Sequence, residues 1–184
     1  MKKKFIALMA IAAFLTGCPD IVAQTKEPVD YVNPYIGNIS HLLVPTFATI
    51  QLPNSMLRVY PARADYTSEY VNGLPVIVTN HRERSAFSIS PSQREHLQPV
   101  VAVNYDNEVI TPYSFDIELD DNTMRARYAV DRQSAVYELN FYKKDKPVYV
   151  IINSANGMIR IGQNYVSGYQ QLNDNTRVYI YLET

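Results

Sequence analysis

From residue 46 onward, apolar residues recur mostly with period two rather than 3.6, and turn-forming clusters interrupt the alternation at short intervals. A pleated strand sends successive side chains to opposite faces, so this pattern predicts half-buried strands. Phe115, Ile117 and Leu119 alternate with Asp116, Glu118 and Asp120. Met124, Ala126, Tyr128 and Val130 alternate with Arg125, Arg127 and Ala129. Asp121 and Asn122 lie between these runs, and both tolerate left-handed backbone, which predicts a hairpin turn there. Further runs follow at Ala135–Phe141 and at residues 147–152, 158–161, 165–169 and 177–182, after earlier candidates at 46–52, 56–60, 76–79, 86–89 and 100–105. Residues 147–152 are apolar on both faces, so a central strand is expected there. Many short strands with no helical period between them predict an all-β fold, an antiparallel sandwich or barrel, and disfavour alternating β/α architecture.

A core of that kind is within reach of the composition. The chain has 184 residues, 47% hydrophobic, so one domain can bury its own core without disulfides. Its single Cys can form no internal disulfide and no multi-cysteine metal framework. With 17 Lys+Arg against 18 Asp+Glu and no basic cluster beyond the first residues, no nucleic-acid partner is expected. The 15 Tyr are first of all sheet-packing residues, an aromatic body with a hydroxyl that reaches water.

The lone thiol sits in a leader. Lys2, Lys3 and Lys4 precede a short apolar run over residues 5–15, too short for a permanent span that needs about 20 residues. Leu15-Thr16-Gly17-Cys18 reads as a lipobox, making residues 1–17 a lipoprotein signal, Cys18 the lipidated residue and 18–29 a tether to a domain at 30–184. The product would be lipid-anchored in the cell envelope, at the outer membrane or in the periplasm. The competing cut follows Ala23 and leaves a soluble secreted or periplasmic protein. Losing Lys2, Lys3 and Lys4 from 17 basic residues leaves 14 against 18 acidic, so the mature chain is mildly acidic.

Recognisable catalytic patterns are absent. His41, His81 and His96 have no metal-ligand spacing, no phosphate loop or G-x-S-x-G is present, and Asp120-Asp121 reads as a solvated turn. The region 33–94 is instead irregular and rich in Pro, with Arg58, Arg63, Asp65, Tyr66, His81, Arg82 and Arg84 crowded into short stretches. Planar, multidentate groups of these types hold sugar hydroxyls, and an Arg–Asp pair that merely pins a loop explains them equally well.

The segments YVNPYIG (31–37), HLLVPTF (41–47) and QLPNSMLRVYP (51–61) resemble the amino-terminal domain of family 92 glycoside hydrolases, which are exo-acting α-mannosidases. TPYSFDIEL (111–119), SAVYELNF (134–141) and VSGYQ (166–170) resemble the family's sheet, so the likeness runs from Asp30 to the end. It implies a β-sandwich of the galactose-mutarotase-like, supersandwich type, packed against an (α/α)6 barrel with sugar at the junction. It also implies an inverting, calcium-dependent hydrolysis, in which an acid and a base sit about 6.5–9.5 Å apart around a water. Calcium would bind mannose hydroxyls through oxygen ligands. Those carboxylates and most calcium ligands belong to the barrel, so no cofactor is expected in this chain. Substrate preference does not transfer, because members carry a His-Thr-Phe-Pro-Gly-like stretch where this chain has NISHLLVPTF (38–47). The absence of Trp leaves Tyr, Phe or His as stacking platforms.

Two functions are compatible with these residues. The preferred one is the non-catalytic amino-terminal module of an exported α-mannosidase-like enzyme, inactive alone and partnered by the catalytic barrel in cis or as a separate chain. An end at Thr184 in an apolar strand pattern, before any helical pattern, is expected for an interrupted gene. The alternative is a free-standing exported lipoprotein that binds a mannose-containing glycan or a protein. In either case His41, Arg58, Arg63, Asp65, His81 and Arg82 are the expected sugar or interface contacts, and none is expected as acid, base or nucleophile.

Overall fold

The computed structural model describes residues 25–39, 42, 46–63, 67–79 and 85–184. Residues up to Tyr31 form one unit and Val32–Thr184 the other. In the first, Pro28–Tyr31 is a single 3₁₀ turn, closed by a bond from the Glu27 N–H to the Asp30 carboxylate at 2.8 Å.

The second unit is an all-β, antiparallel β-sandwich with no α-helix among its described residues. Its strands are β1 (Tyr70–Asn72), β2 (Leu74–Val78), β3 (Ser85–Ser92), β4 (Ala102–Ile110), β5 (Ser114–Leu119) and β6 (Met124–Val130). They continue as β7 (Ala135–Phe141), β8 (Tyr149–Asn153), β9 (Gly157–Ile161), β10 (Tyr165–Asn173) and β11 (Thr176–Glu183). A five-stranded sheet has the order β1-β4-β5-β6-β7, and two three-stranded sheets have the orders β2-β3-β8 and β11-β10-β9. Ile117 and Ala126 oppose each other at the centre of the five-stranded sheet and are fully buried, on the apolar face that the alternation predicts. Phe115 stacks on Tyr128, and Leu74, Ile89, Val103 and Leu119 complete one continuous core.

Gly73 turns a corner between β1 and β2, which belong to different sheets. Its φ is +76, and a Cβ there would meet Ser90 Oγ at 3.0 Å. Glycine is therefore required by both backbone and space.

Three strand expectations differ from the structure. Residues 46–52 and 56–60 form only an isolated bridge, Ile50 to Val59. Their apolar residues do plug the core, with Ile50 and Val59 fully buried, but their neighbours bond to loops: Gln51 N–H to Pro112 O at 2.9 Å and Met56 N–H to Arg132 O at 2.9 Å. β8 is an edge strand rather than a central one, paired among the described residues only to β3, with Val150 49% exposed. Its apolar run reflects a surface left uncovered on one side. The β5–β6 connection spans four residues rather than two, with left-handed backbone at Asp120, Asp121 and Asn122. Asp120 is not simply solvated there, since it pairs with Arg94, while the Asp121 N–H bonds Asn104 Oδ1 at 2.9 Å.

Candidate functional site

The YVNPYIG segment is a fastener for the irregular region. Asn33 Oδ1 accepts the Tyr35 N–H at 3.0 Å in an Asx-turn, and the buried Asn38 amide donates to Pro34 O at 3.1 Å. Thr46 closes the loop by donating its N–H to Gly37 O at 2.9 Å and its hydroxyl to Ile36 O at 2.8 Å. Tyr35 then reaches β4: its hydroxyl accepts the Ile110 N–H at 3.0 Å and donates to Glu108 O at 3.4 Å. Burial raises the Tyr35 pKa, with the Glu108 charge as the next cause.

The backbone that Tyr35 grips is a bulge. The β4–β5 register shifts between Asp106 and Val109, with Asn107 at φ +49. Bulges re-aim side chains, and this one sends Glu108 inward to an ion pair with Arg63. The Arg63 side chain is wholly buried and that of Glu108 is 7% exposed. The guanidinium also lies 4.6 Å from the centre of the Tyr105 ring. Glu108 lies 45 residues from Arg63 along the chain.

Beside this pair lies a cleft of about 240 Å³, lined among others by Tyr60, Arg63, Asn72, Phe87, Asn153 and Gln170. Phe87 has φ +59 in the middle of β3, a costly conformation for a bulky side chain. Its N–H leaves the strand ladder and donates to Gln170 Oε1 on β10 at 2.9 Å. The same oxygen accepts the Ala155 N–H at 3.3 Å, and Gln170 Nε2 donates to Ser85 O at 3.1 Å. Gln170 therefore joins β3, β10 and the β8–β9 connection. Sequence reasoning missed it, although an amide at an inward position of β10, in register with buried Val166, was the available signal.

Of the expected contacts, only Arg63 lines the cleft among the described residues. Arg58 is half-buried, its carbonyl accepts the Val78 N–H at 2.7 Å, and its Nε has no hydrogen-bond partner among the described residues. His41, Asp65, His81, Arg82 and Cys18 lie outside the described residues. In the sequence, Asp65 follows Arg63 by two positions and Arg82 precedes Ser85 by three, so these loops adjoin the cleft's lining along the chain. The described lining holds hydrogen-bonding amides and an ion-paired guanidinium, with no carboxylate and no His. These described residues can hold neutral polar groups.

A second feature is an apolar groove of about 650 Å³. Val136, Tyr137 and Leu139 of β7, Val150 and Ile152 of β8 and Leu182 of β11 line it, and each of these strands is a sheet edge. Large apolar side chains of this lining are open to solvent, with Val136 70% and Tyr181 62% exposed.

Against known protein families, residues 31–184 match the glycosyl hydrolase family 92 N-terminal domain. The chain belongs to this family. The match includes the YVNPYIG fastener, the bulged β4 and the VSGYQ segment that carries Gln170. No curated protein matched the chain. This family 92 domain is thus a glycoside hydrolase module. For the calcium that the likeness implies, the described residues do not fit: no three His, Cys, Asp or Glu side chains converge among them.

Proposed function

We propose that this family 92 module is the non-catalytic amino-terminal part of an exported α-mannosidase-like glycoside hydrolase. It packs on an (α/α)6 catalytic domain and contributes to the glycan site. The observation that carries this reading is the apolar groove at three sheet edges, in a chain that belongs to a glycoside hydrolase family. Apolar surface on this scale is a liability unless another domain covers it. The lining of the 240 Å³ cleft supports a role in holding sugar, since its described residues are amides, hydroxyls and a guanidinium, with no carboxylate or His among them. Asp65, His81 and Arg82 adjoin that cleft in sequence and are the proposed glycan contacts, with His41 and Arg58 the other candidates.

In the complete enzyme the acid, the base and most calcium ligands come from the barrel. Export, with or without a lipid on Cys18, rests on the leader pattern of residues 1–23. The test is reconstitution with a separately produced family 92 (α/α)6 domain and an α-mannoside substrate. Hydrolysis is expected only when both chains are present. A barrel equally active alone, or one that does not bind this module, overturns the reading.

A further inference from the structure

The sequence of β11, Thr176–Glu183, is complementary to itself. Antiparallel pairing of two copies about Ile180 places Arg177 opposite Glu183, Val178 opposite Leu182 and Tyr179 opposite Tyr181. Both charge pairs are of opposite sign, and every pair joins residues of the same face. Slipping the register by one residue pairs each odd-numbered residue with an even-numbered one and turns the faces against each other; slipping it by two, which moves the centre to Tyr179 or Tyr181, removes both charge pairs.

The structure presents this strand in a form ready to pair. β11 is the outer strand of the sheet β11-β10-β9, with its other long side unpaired among the described residues. The bond from Thr184 N to Asn164 O at 3.2 Å fixes which backbone groups face β10. By alternation the even-numbered residues bond to β10, and Arg177, Tyr179, Tyr181 and Glu183 point their N–H and C=O groups away from it. Those four are the residues that the self-complementary register brings into hydrogen-bonded pairs. On the solvent face, Tyr179 is 70% and Tyr181 62% exposed. They already form cross-strand contacts with Tyr169 and Tyr165, at centroid distances of 6.2 and 5.5 Å. Pairing through Tyr179 and Tyr181 would continue this tyrosine row into the second copy.

Natural edge strands are protected by Pro, by inward-pointing charge, by bulges or by brevity. β11 has eight residues, no Pro and no register shift from Arg177 to Glu183. Its charged residues sit at the two positions where self-pairing makes them attractive.

We propose that β11 is a homotypic docking edge, joining two copies of this chain by antiparallel β11–β11 pairing across a two-fold axis into one six-stranded sheet. The partner is a second copy because the charge pattern is complementary to itself. The isologous symmetry makes each ion pair occur twice.

Sedimentation velocity of the full chain over a concentration series tests this. The expected result is a reversible monomer–dimer equilibrium. Arg177→Glu and Glu183→Arg each turn both attractive pairs into repulsive ones, and each is expected to weaken the dimer by about tenfold. An equimolar mixture of the two variants restores opposite charges at both positions, so dimer at wild-type strength is expected only in the mixture. Tyr179→Pro removes an outward N–H and no bond to β10, and is expected to abolish dimerisation while far-UV circular dichroism is unchanged. If Tyr179→Pro unfolds, the mixing result decides. A chain that stays monomeric at every concentration, a dimer that neither charge reversal weakens, or a mixture that fails to recover would each overturn the proposal, the first pointing to a different strand as the natural cover of this edge.

Discussion

The five-stranded sheet and the β9–β11 sheet are built from the same residue types with opposite results. β5 and β6 alternate buried and half-exposed positions regularly, and their inner residues Phe115, Ile117, Leu119, Met124, Ala126 and Tyr128 are all buried. β11 alternates too, but no residue of it or of β9 is buried. Hairpin neighbours and the loops fastened by Tyr35 cover the first region. The second has one layer against it and presents the remainder outward. Alternation in a sequence thus reports that a face is meant to be covered, and says nothing of whether the cover belongs to the same chain.

That contrast predicts where substitutions matter. The largest effect belongs to Arg63→Ala, which takes the guanidinium away from the buried Glu108 carboxylate and should cost about 3–5 kcal/mol in urea denaturation. Replacing both partners, as Arg63→Met with Glu108→Leu, should recover most of that loss. Failure to recover would mean that the pair's geometry, rather than an uncompensated charge, holds the loop.

Next come core deletions. Ile117→Ala is expected to cost about 2–5 kcal/mol, while Ile180→Ala, the same deletion at a half-exposed position, should cost about 1 kcal/mol or less. Equal losses at the two sites would remove the distinction between the regions.

The fold was legible wherever local pattern and tertiary cover agree. Met124–Val130 and Ala135–Phe141 coincide with β6 and β7, because each pairs with its chain neighbour and needs no distant information. β8 was misplaced because a run apolar on both faces is the same whether the second face is covered or bare. Residues 46–60 imitated strands because Ile50 and Val59 are core plugs on a chain whose hydrogen bonds go to distant loops. In the site, Arg63 was readable as an unusual residue in a loop. Its partner was not, because Glu108 acquires its direction from a bulge, and neither was Gln170, whose importance depends on the strained backbone of Phe87 across the sheet boundary.

A third effect separates the regions by pH. Burial raises the Tyr128 and Tyr137 pKa values well above the ordinary 10.0, whereas both groups return to that value when the chain unfolds. A folded-state pKa above the unfolded one contributes stability that is complete below pH 10 and lost as pH rises past it. Alkaline titration followed at the tyrosinate absorbance should therefore show two phases. Tyr128 and Tyr137 belong to the later phase and ionise only with cooperative unfolding. A single phase with the fold intact would contradict the closed core.

The smallest effect is on the outer face of the five-stranded sheet. Arg125 grips Asp116 with two bonds, at 2.7 and 2.6 Å, and this hydrogen bonding lowers the Asp116 pKa. A depressed carboxylate contributes stability above its ordinary value of 3.8 that is lost as pH falls through the folded one. The pair is open to solvent, so Asp116→Asn should change the thermal midpoint only slightly, with the difference from wild type vanishing in acid.

The central claim is that the apolar groove and the edges around it await a catalytic domain. Hydrogen exchange read peptide by peptide, with the module alone and then mixed with a family 92 (α/α)6 domain, tests this most directly. The predicted result is new protection concentrated in β7 and β8, with β5 and β6 already protected and unchanged. Unchanged exchange throughout those edge strands, in a mixture in which the two chains demonstrably bind, would contradict it.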